Sequence, residues 1–297
     1  MKELFRGSAV ALVTPMHEDG SVDYEQYRKL VERCIENGVQ ALVVNGTTAE
    51  ASTLTVEEEH ELIKIAVEVN QKRVPIIAGT GSNDTSHALR ESKIAKELGA
   101  DACLIVTPYY NKTSQRGLIK HFTYLADEIG LPIILYNIPG RTGLKIDIET
   151  AVILAKHPMI IAMKDASADM DYTMELLART RDEDFDVYSG EDGLILPILA
   201  SGGKGVISVL SNVYPRECQL LCDEILNGDM KKAQTLAYDL SKVCKGLFLD
   251  VNPICAKAAL AYKGICEEYL RMPLIPTTDE NKKKLYQAMD EFERKGY

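Results

Sequence analysis

Eight short runs rich in apolar and β-branched residues recur along this chain, and longer amphipathic stretches separate them. They occupy residues 9–14, 41–46, 74–81, 102–108, 132–137, 160–165, 186–190 and 205–212. Short strands that alternate with helical stretches are typical of βα units built around a parallel sheet. Because eight such units close on themselves, the sequence predicts an α/β fold, a (β/α)8 barrel of the TIM type.

The chain is longer than such a barrel requires. It has 297 residues, whereas one barrel typically takes roughly 250. From about residue 226 onward the sequence contains helical patterns only, and no low-complexity linker precedes them. We therefore predict a barrel over residues 1–225 that carries the active site, and a C-terminal helical segment over residues 226–297.

Signals for helix ends support several of the predicted helices. Gly38 follows the amphipathic stretch 23–37, where a left-handed C-terminal cap would stand. Thr55 and Glu58 have the spacing of a capping box. In the C-terminal segment, Asn252 and Pro253 are predicted as the cap and the first residue of a helix.

The net charge and the cysteine content limit which partners and which cellular compartment fit this chain. A formal net charge of −10 disfavours nucleic acid and anionic membranes as partners, because both attract clustered lysine and arginine. A small soluble substrate fits better. The seven cysteines form no CxxC pair, and no run approaches the roughly 20 apolar residues of a membrane span. We therefore expect a reduced, cytoplasmic protein.

Two stretches resemble known metal-binding and nucleotide-binding motifs but are incomplete. The stretch HELIK at residues 60–64 lacks the second histidine of a zinc-protease motif, and SGGKG at residues 201–205 lacks the first glycine and the Ser or Thr of a phosphate-binding loop. The five histidines are scattered without the spacing of metal ligands. We expect no metal site.

Polar side chains follow or end four of the predicted strands. In a parallel barrel these strand ends share one face, and barrel enzymes carry their active sites there. Each residue taken alone could be an ordinary turn residue, but four strands that aim such groups at one rim indicate a site. The groups are Thr47 and Thr48 after strand two, Tyr109 and Tyr110 after strand four, Tyr136 and Arg141 from strand five, and Lys164 in strand six.

Lys164 ends the apolar run of residues 159–163, where a buried strand would be expected to stay uncharged. An ammonium in an apolar interior loses favourable hydration, so more of such a lysine is neutral and nucleophilic. A neutral amine can attack a ketone to form a Schiff base. The competing interpretation is a structural lysine paired with Asp165. Adjacent strand residues point to opposite faces, which makes Asp165 a poor partner.

Five motifs along the chain resemble one enzyme family. They are GTTAEASTLT (46–55), YYNK (109–112), YNIPGRTG (136–143), MKDAS (163–167) and GVISVLSN (205–212). They are similar, in order and in spacing, to the pyruvate-dependent class I lyases and within them to the 4-hydroxy-tetrahydrodipicolinate synthase (dihydrodipicolinate synthase) family. The resemblance extends from about residue 5 to residue 265.

The resemblance implies a reaction and its central residues. Pyruvate would condense with L-aspartate 4-semialdehyde, the first committed step of lysine and diaminopimelate biosynthesis. Lys164 would form an imine with the keto carbon of pyruvate, and no metal or organic cofactor would be required. Tyr136 would relay protons through hydrogen bonds to Thr48 and to Tyr110, with Tyr110 supplied by a neighbouring subunit.

The resemblance also implies substrate-binding groups and an assembly. Thr47 and Thr48 would hold the carboxylate of pyruvate, and Arg141 would bind the carboxylate of the semialdehyde. The backbone near Gly190 and Ile207 would line the pocket. The use of Tyr110 across an interface requires at least a dimer, and the resemblance implies a homotetramer made of two tight dimers.

Two departures from the family pattern stand out. Ala49 replaces a glycine of the usual GTTGE, which we expect to be harmless if its φ is negative. In relatives regulated by lysine, the inhibitor site lies at the subunit interface near this loop, and the usual histidine and glutamate identities do not line up with the residues of this chain. We therefore predict weak or absent inhibition by lysine. The residues at that possible allosteric region are Ala51, Val56, Glu59, Asn83, His87 and Tyr109.

Two alternatives remain open. A sister enzyme, N-acetylneuraminate lyase or a 2-keto-3-deoxy sugar acid aldolase, would use the same lysine and tyrosine, but Thr47, Thr48 and Arg141 favour the synthase family. A barrel that only binds a keto acid, without catalysis, is the alternative from another class. The presence of a chemically competent side chain at every implied catalytic position disfavours it.

Overall fold

The computed structural model describes residues 3–297 and contains a closed barrel of eight parallel strands. Each strand lies within or overlaps one of the eight predicted runs, and β1 closes the barrel by pairing with β8. The predicted fold is confirmed; the first two residues of the predicted barrel segment lie outside the described residues. The strands are β1 Gly7–Ala11, β2 Ala41–Val44, β3 Ile76–Gly79, β4 Ala102–Val106, β5 Ile133–Asn137, β6 Ile160–Asp165, β7 Asp186–Ser189 and β8 Gly205–Ser208.

Helices follow the strands and surround the barrel. Twelve lie within the described part of the chain: α1 Tyr24–Glu36, α2 Val56–Asn70, α3 Thr85–Leu98, α4 Gln115–Ile129, α5 Pro139–Thr142, α6 Ile148–Ala155, α7 Met170–Thr180, α8 Ile195–Ala200, α9 Pro215–Leu226, α10 Met230–Gly246, α11 Ile254–Tyr262 and α12 Asp279–Glu293. The last three belong to the segment after the barrel, where α10 packs against α9 and α12. No helix between residues 3 and 297 combines the length and the apolar character needed to cross a membrane.

Local sequence signals explain where several helices begin and end. Gly38 has a φ of 86°, the left-handed conformation that glycine adopts at low cost. The predicted capping box of Thr55 and Glu58 is present at the start of α2. The predicted start of α11 is wrong: the helix begins at Ile254 with Pro253 as its N-cap, so Asn252 lies outside the helix.

Strand alternation separates the barrel interior from the helix-facing layer. In β6, Ala162 belongs to the interior cluster and Met163 to a cluster that packs under the helices. Period-two alternation therefore directs Lys164 inward and Asp165 outward. The interior is filled by small and branched side chains together with Tyr136 and Tyr188. The Tyr188 ring stacks on Phe5, which precedes β1, with centroids 4.2 Å apart.

Candidate active site

The register of three neighbouring strands places Tyr136, Lys164 and Tyr188 side by side. Lys164 pairs with Tyr136 on β5 and with Tyr188 on β7. Its side chain is buried, and Nζ lies 4.2 Å from the centroid of the Tyr136 ring. Within residues 3–297 this amine makes no hydrogen bond and no ion pair. The nitrogen therefore rests on an aromatic face with no carboxylate bound to it.

Asp165 points away from Lys164, as strand alternation predicts. Its carboxylate accepts hydrogen bonds from Asn137 Nδ2 at 2.9 Å and from Thr173 Oγ1 at 2.8 Å. Burial raises the pKa of Asp165, although these hydrogen bonds act in the opposite direction. The structural pairing of Lys164 with Asp165, which we considered as an alternative, is not formed.

Two carboxyl groups lie just after β7 and interact electrostatically with Lys164. Burial raises the pKa of both Glu191 and Asp192, while the Lys164 ammonium acts to lower it. Asp192 also accepts the backbone N–H groups of Val209 and Leu210, at 3.1 and 2.8 Å, and so ties the loop after β7 to the loop after β8. Sequence reasoning did not single out these two acids; their position after Gly190 at a strand end was the available signal.

The two threonines after β2 have different surroundings. Thr48 is buried, and its Oγ1 accepts a hydrogen bond from Asn252 Nδ2 at 3.0 Å. Among the described residues no hydrogen bond joins Thr48 to Tyr136, so the predicted link between them is not formed. Thr47 instead lines the same cavity as Tyr136.

Ala49 occupies a conformation that any residue can adopt. The left-handed residues around it are Asn45 and Glu50, each with a φ of 58°, whereas Ala49 is not among the residues with positive φ. The glycine usual at this position is therefore not needed for backbone reasons, as expected from the sequence.

Arg141 lies just after β5, and the predicted pocket-lining residues Gly190 and Ile207 lie just after β7 and within β8. Arg141 follows β5 on α5 and is exposed, and its Nη2 donates to the backbone oxygen of Asn252 at 3.1 Å. Ile207 is a buried residue of β8 in the interior cluster. Gly190 approaches β6 closely: a Cβ at this position would lie 2.6 Å from Cβ of Ala166. A side chain at position 190 would therefore clash with the residues at the end of β6.

A cleft of about 390 Å³ opens beside this rim. Thr47 and Tyr136 line it, together with five of the six residues predicted for the possible allosteric region: Ala51, Val56, Glu59, His87 and Tyr109. The sixth, Asn83, donates from Nδ2 to the backbone oxygen of Tyr109 at 3.2 Å. A larger cleft of about 630 Å³ lies around Asp186 and Lys204, at the N-terminal end of the strands and away from Lys164.

Glu59 lies in the wall of the 390 Å³ cleft, and its raised pKa leads us to expect that the stability of the folded protein depends on pH. Burial, followed by the nearby Glu91 carboxylate, raises the pKa of Glu59 to about 7, against an ordinary value of 4.5. Protonated Glu59 thus favours the folded state below pH 4.5, and this contribution is lost as the pH rises through 7. We expect Glu59→Gln to raise Tm by ~2 °C or more at pH 8, with the difference vanishing toward pH 4.5.

Thermal unfolding of the variant and the wild type at both pH values checks this. Glu57→Gln, at an exposed position of the same helix, is the matched control and should show a much smaller pH dependence. An equal Tm shift at pH 8 and pH 4.5 for Glu59→Gln would contradict the expectation.

Tyr110 does not contact the site of its own barrel. Its side chain is 92% exposed and its φ is 67°, an unfavourable conformation for a bulky residue. The loop is held by polar contacts on either side, in which Asn111 Nδ2 donates to the backbone oxygen of Asn83 at 2.9 Å. A strained backbone that presents an aromatic ring to solvent indicates a surface that functions in contact with another molecule.

Comparisons with known proteins found a matching family model, similar sequences and similar solved structures. The model of the dihydrodipicolinate synthetase family matches residues 4–292. The 4-hydroxy-tetrahydrodipicolinate synthase of Geobacter metallireducens is 47% identical over 290 residues, which cover 98% of this chain and 99% of the relative. The chloride-inhibited dihydrodipicolinate synthase of Acinetobacter baumannii, solved in complex with pyruvate, superposes with a TM-score of 0.95 at 42% identity and covers 97% of this chain and 99% of that one. An enzyme of the same name from Cyanidioschyzon merolae, solved with lysine bound, gives a TM-score of 0.95 at 38% identity over 98% of this chain and 99% of that one.

Proposed function

This chain belongs to the dihydrodipicolinate synthetase family, and we propose that it condenses pyruvate with L-aspartate 4-semialdehyde to give 4-hydroxy-tetrahydrodipicolinate. The chain is an enzyme, a lyase, and the proposed reaction would be the first committed step of lysine and diaminopimelate biosynthesis. The observation that carries the proposal is Lys164, an amine inside the barrel that rests on the Tyr136 ring without a carboxylate partner.

The proposed chemistry starts with the neutral amine of Lys164. It adds to the keto carbon of pyruvate, and water leaves to give an iminium. The iminium withdraws electrons, so the methyl group loses a proton and becomes an enamine carbon. That carbon attacks the aldehyde carbon of the second substrate. The substrate amine then displaces Lys164 and closes the ring, which regenerates the enzyme without a metal or organic cofactor.

Each of these steps moves a proton, and hydroxyl groups suit this task because each can donate and accept. We propose Tyr136 as the relay beside Lys164. Thr47 shares the cavity wall with Tyr136, so we place Thr47, in preference to Thr48, next to Tyr136 in the relay. Tyr110 of a neighbouring subunit would complete it.

Two groups at the rim are proposed to hold the substrate carboxylates. Thr48 would donate to the carboxylate of pyruvate. Arg141 would bind the carboxylate of the semialdehyde, because its planar fork can form two parallel hydrogen bonds. Gly190 and Ile207 would line the pocket that these groups surround.

The assembly we propose is a homotetramer of two tight dimers. The 92% exposure of Tyr110 and its positive φ support an interface at this loop. A protein that sediments as a monomer while fully active would contradict the use of Tyr110 across an interface.

The proposed function is tested by mixing the protein with pyruvate and L-aspartate 4-semialdehyde. Coupling to dihydrodipicolinate reductase lets the consumption of NADPH report the product. Turnover with these substrates supports the synthase. Pyruvate that is trapped by borohydride without such turnover would favour the sister aldolases, to be assayed with N-acetylneuraminate and 2-keto-3-deoxy sugar acids. Binding of pyruvate without any turnover would indicate a non-catalytic barrel.

Weak or absent inhibition by L-lysine is expected for this enzyme. The cleft that holds the possible allosteric residues presents Val56 and Ala51, which cannot hydrogen-bond a lysine ligand through their side chains, and a Glu59 whose pKa is raised to about 7. A titration of the coupled assay with L-lysine at fixed substrate concentrations checks this. Strong inhibition at low lysine concentration would refute it.

A further inference from the structure

Asn252 connects the barrel rim to the C-terminal helical segment. It lies in the loop between α10 and α11, and its side chain is only 6% exposed. Its Nδ2 donates to Thr48 Oγ1 at 3.0 Å, and its backbone oxygen accepts from Arg141 Nη2 at 3.1 Å. One residue from outside the barrel therefore bridges the groups proposed to hold the carboxylates of the two substrates.

The contact with Thr48 determines how the threonine hydroxyl can act. A hydroxyl has one proton to donate and lone pairs to accept with. Because Thr48 Oγ1 accepts from Asn252, its proton remains free for a different partner. A carboxylate can only accept hydrogen bonds. Asn252 thus presents Thr48 as a donor, which is the role that the carboxylate of pyruvate needs.

The other atom of the Asn252 amide is an unused acceptor. Among the described residues Oδ1 is buried and has no hydrogen-bond partner. A buried carbonyl oxygen without a donor costs free energy unless a ligand or water supplies one. This oxygen is bonded to the same carbon, Cγ, as the nitrogen that donates to Thr48, and the backbone oxygen of the same residue accepts from Arg141. The ligand that satisfies it must offer an N–H or O–H group near Arg141.

L-Aspartate 4-semialdehyde carries such a group beside its carboxylate. Its amino group is attached to the same carbon as the carboxylate that Arg141 would bind. We propose that Asn252 is a specificity residue for the second substrate: Oδ1 accepts a hydrogen bond from the α-amino group, while Nδ2 positions Thr48 for pyruvate. The inference rests on the proposed function and assigns the recognition of the amino group, which favours aldehydes that carry an amino group α to their carboxylate over aldehydes that lack this group.

The test compares two aldehydes that differ only in the amino group. Succinate semialdehyde lacks it and is used as a competitor of L-aspartate 4-semialdehyde. For Asn252→Ala we expect the KM for L-aspartate 4-semialdehyde to rise ~10-fold or more, while the inhibition constant of succinate semialdehyde changes less than about 3-fold. Equal weakening of both aldehydes would overturn the specificity role, because a merely structural loss affects both.

A second variant separates the two atoms of the amide. Asn252→Asp keeps an acceptor near the amino group but removes the donor to Thr48. We expect the KM for pyruvate to rise and the preference for the amino-bearing aldehyde to persist. An unchanged KM for pyruvate would overturn the positioning role. This variant preserves the size of the side chain, so the test does not depend on how well Asn252→Ala folds.

Asn281→Ala is the matched control. Asn281 also belongs to the C-terminal segment and also donates from Nδ2 to a threonine hydroxyl, Thr277 Oγ1 at 3.1 Å, but among the described residues no hydrogen bond joins it to Thr48 or Arg141. It should leave both aldehyde constants unchanged. Borohydride trapping with pyruvate is run on every protein. Wild-type protein that traps pyruvate but does not turn over the semialdehyde contradicts the proposed function, whereas a normal wild type with equal losses in Asn252→Ala contradicts only the inference about Asn252.

Discussion

Replacement of Lys164 by alanine is expected to lower kcat by about three orders of magnitude or more, because it removes the proposed nucleophile, on which every later step of the proposed mechanism depends. The barrel should remain folded. Lys164 makes no hydrogen bond or ion pair within residues 3–297, and its Nζ contacts the Tyr136 ring only through a cation–π interaction. Removing it therefore breaks no hydrogen bond and no ion pair among the described residues.

The measurement combines the coupled assay with borohydride reduction in the presence of pyruvate. Mass spectrometry of the digested wild type should find the reduced pyruvyl group on the peptide that contains Lys164. The variant should carry none. Lys263→Ala is a matched control, because Lys263 Nζ also lies over a tyrosine ring, 4.5 Å from the centroid of Tyr214, on the outside of the barrel. A pyruvyl adduct that persists in Lys164→Ala would contradict a mechanism with an imine on Lys164.

Replacement of Lys257 by methionine is expected to lower the free energy of unfolding by about 3–5 kcal/mol. Lys257 Nζ and Glu50 Oε1 are 2.5 Å apart, and both side chains are at most 1% exposed. Burial lowers the pKa of the Lys257 ammonium, against the opposing effect of the Glu50 carboxylate. Removal of the lysine would leave Glu50 as a buried, uncompensated charge.

The ion pair also connects to the loop of Thr47 and Thr48, which is proposed to bind pyruvate. Glu50 follows the turn of Thr47, Thr48 and Ala49 directly and has a left-handed φ of 58°. Its second carboxylate oxygen accepts the backbone N–H of Arg271 at 3.1 Å. We therefore expect Lys257→Met to weaken pyruvate binding as well as stability, since the residues that hold this loop come from the C-terminal segment.

Urea unfolding of four proteins measures the effect: wild type, Lys257→Met, Glu50→Gln and the double variant. The double variant should recover much of the loss, because neither charge is then buried alone. Lys284→Met is the control; it breaks a pair with Glu280 in which both side chains are more than half exposed, and it should cost less than about 1 kcal/mol. A loss for Lys257→Met as small as that of the control would disprove the stabilising role of the buried pair.

Much of the barrel was predictable because it depends on local patterns. Strand and helix periods, the capping box at Thr55 and the turn at Gly38 are each set by neighbours a few residues apart. The same holds for the inward direction of Lys164, which follows from its spacing of two residues from Ala162. Residue identity and strand position were sufficient to bring Lys164, Tyr136, Thr47 and Arg141 to one rim.

The errors and omissions concern contacts between distant parts of the chain. Asn252 was interpreted as a helix cap, whereas it hydrogen-bonds Thr48, 204 residues away. The pairing of Glu50 with Lys257 left no trace in the sequence pattern, because a charged residue on a helix usually faces solvent. The predicted division into a barrel with the site and a separate helical segment likewise did not indicate that residues of the helical segment contact the barrel rim.

The sequence by itself determined the closed barrel, the face that carries the chemistry and the lysine at its centre, because these follow from periodicity and from the alternation of side chains along a strand. Only the tertiary structure decided which threonine lines the cavity with Tyr136, that Asp165 faces away from Lys164 and makes its own hydrogen bonds, and that Asn252 and Lys257 contact the loop that contains Thr48 and Glu50. These features depend on the relative placement of loops far apart in the chain, and hydrogen-bond geometry at that distance is set by packing and has no local signature.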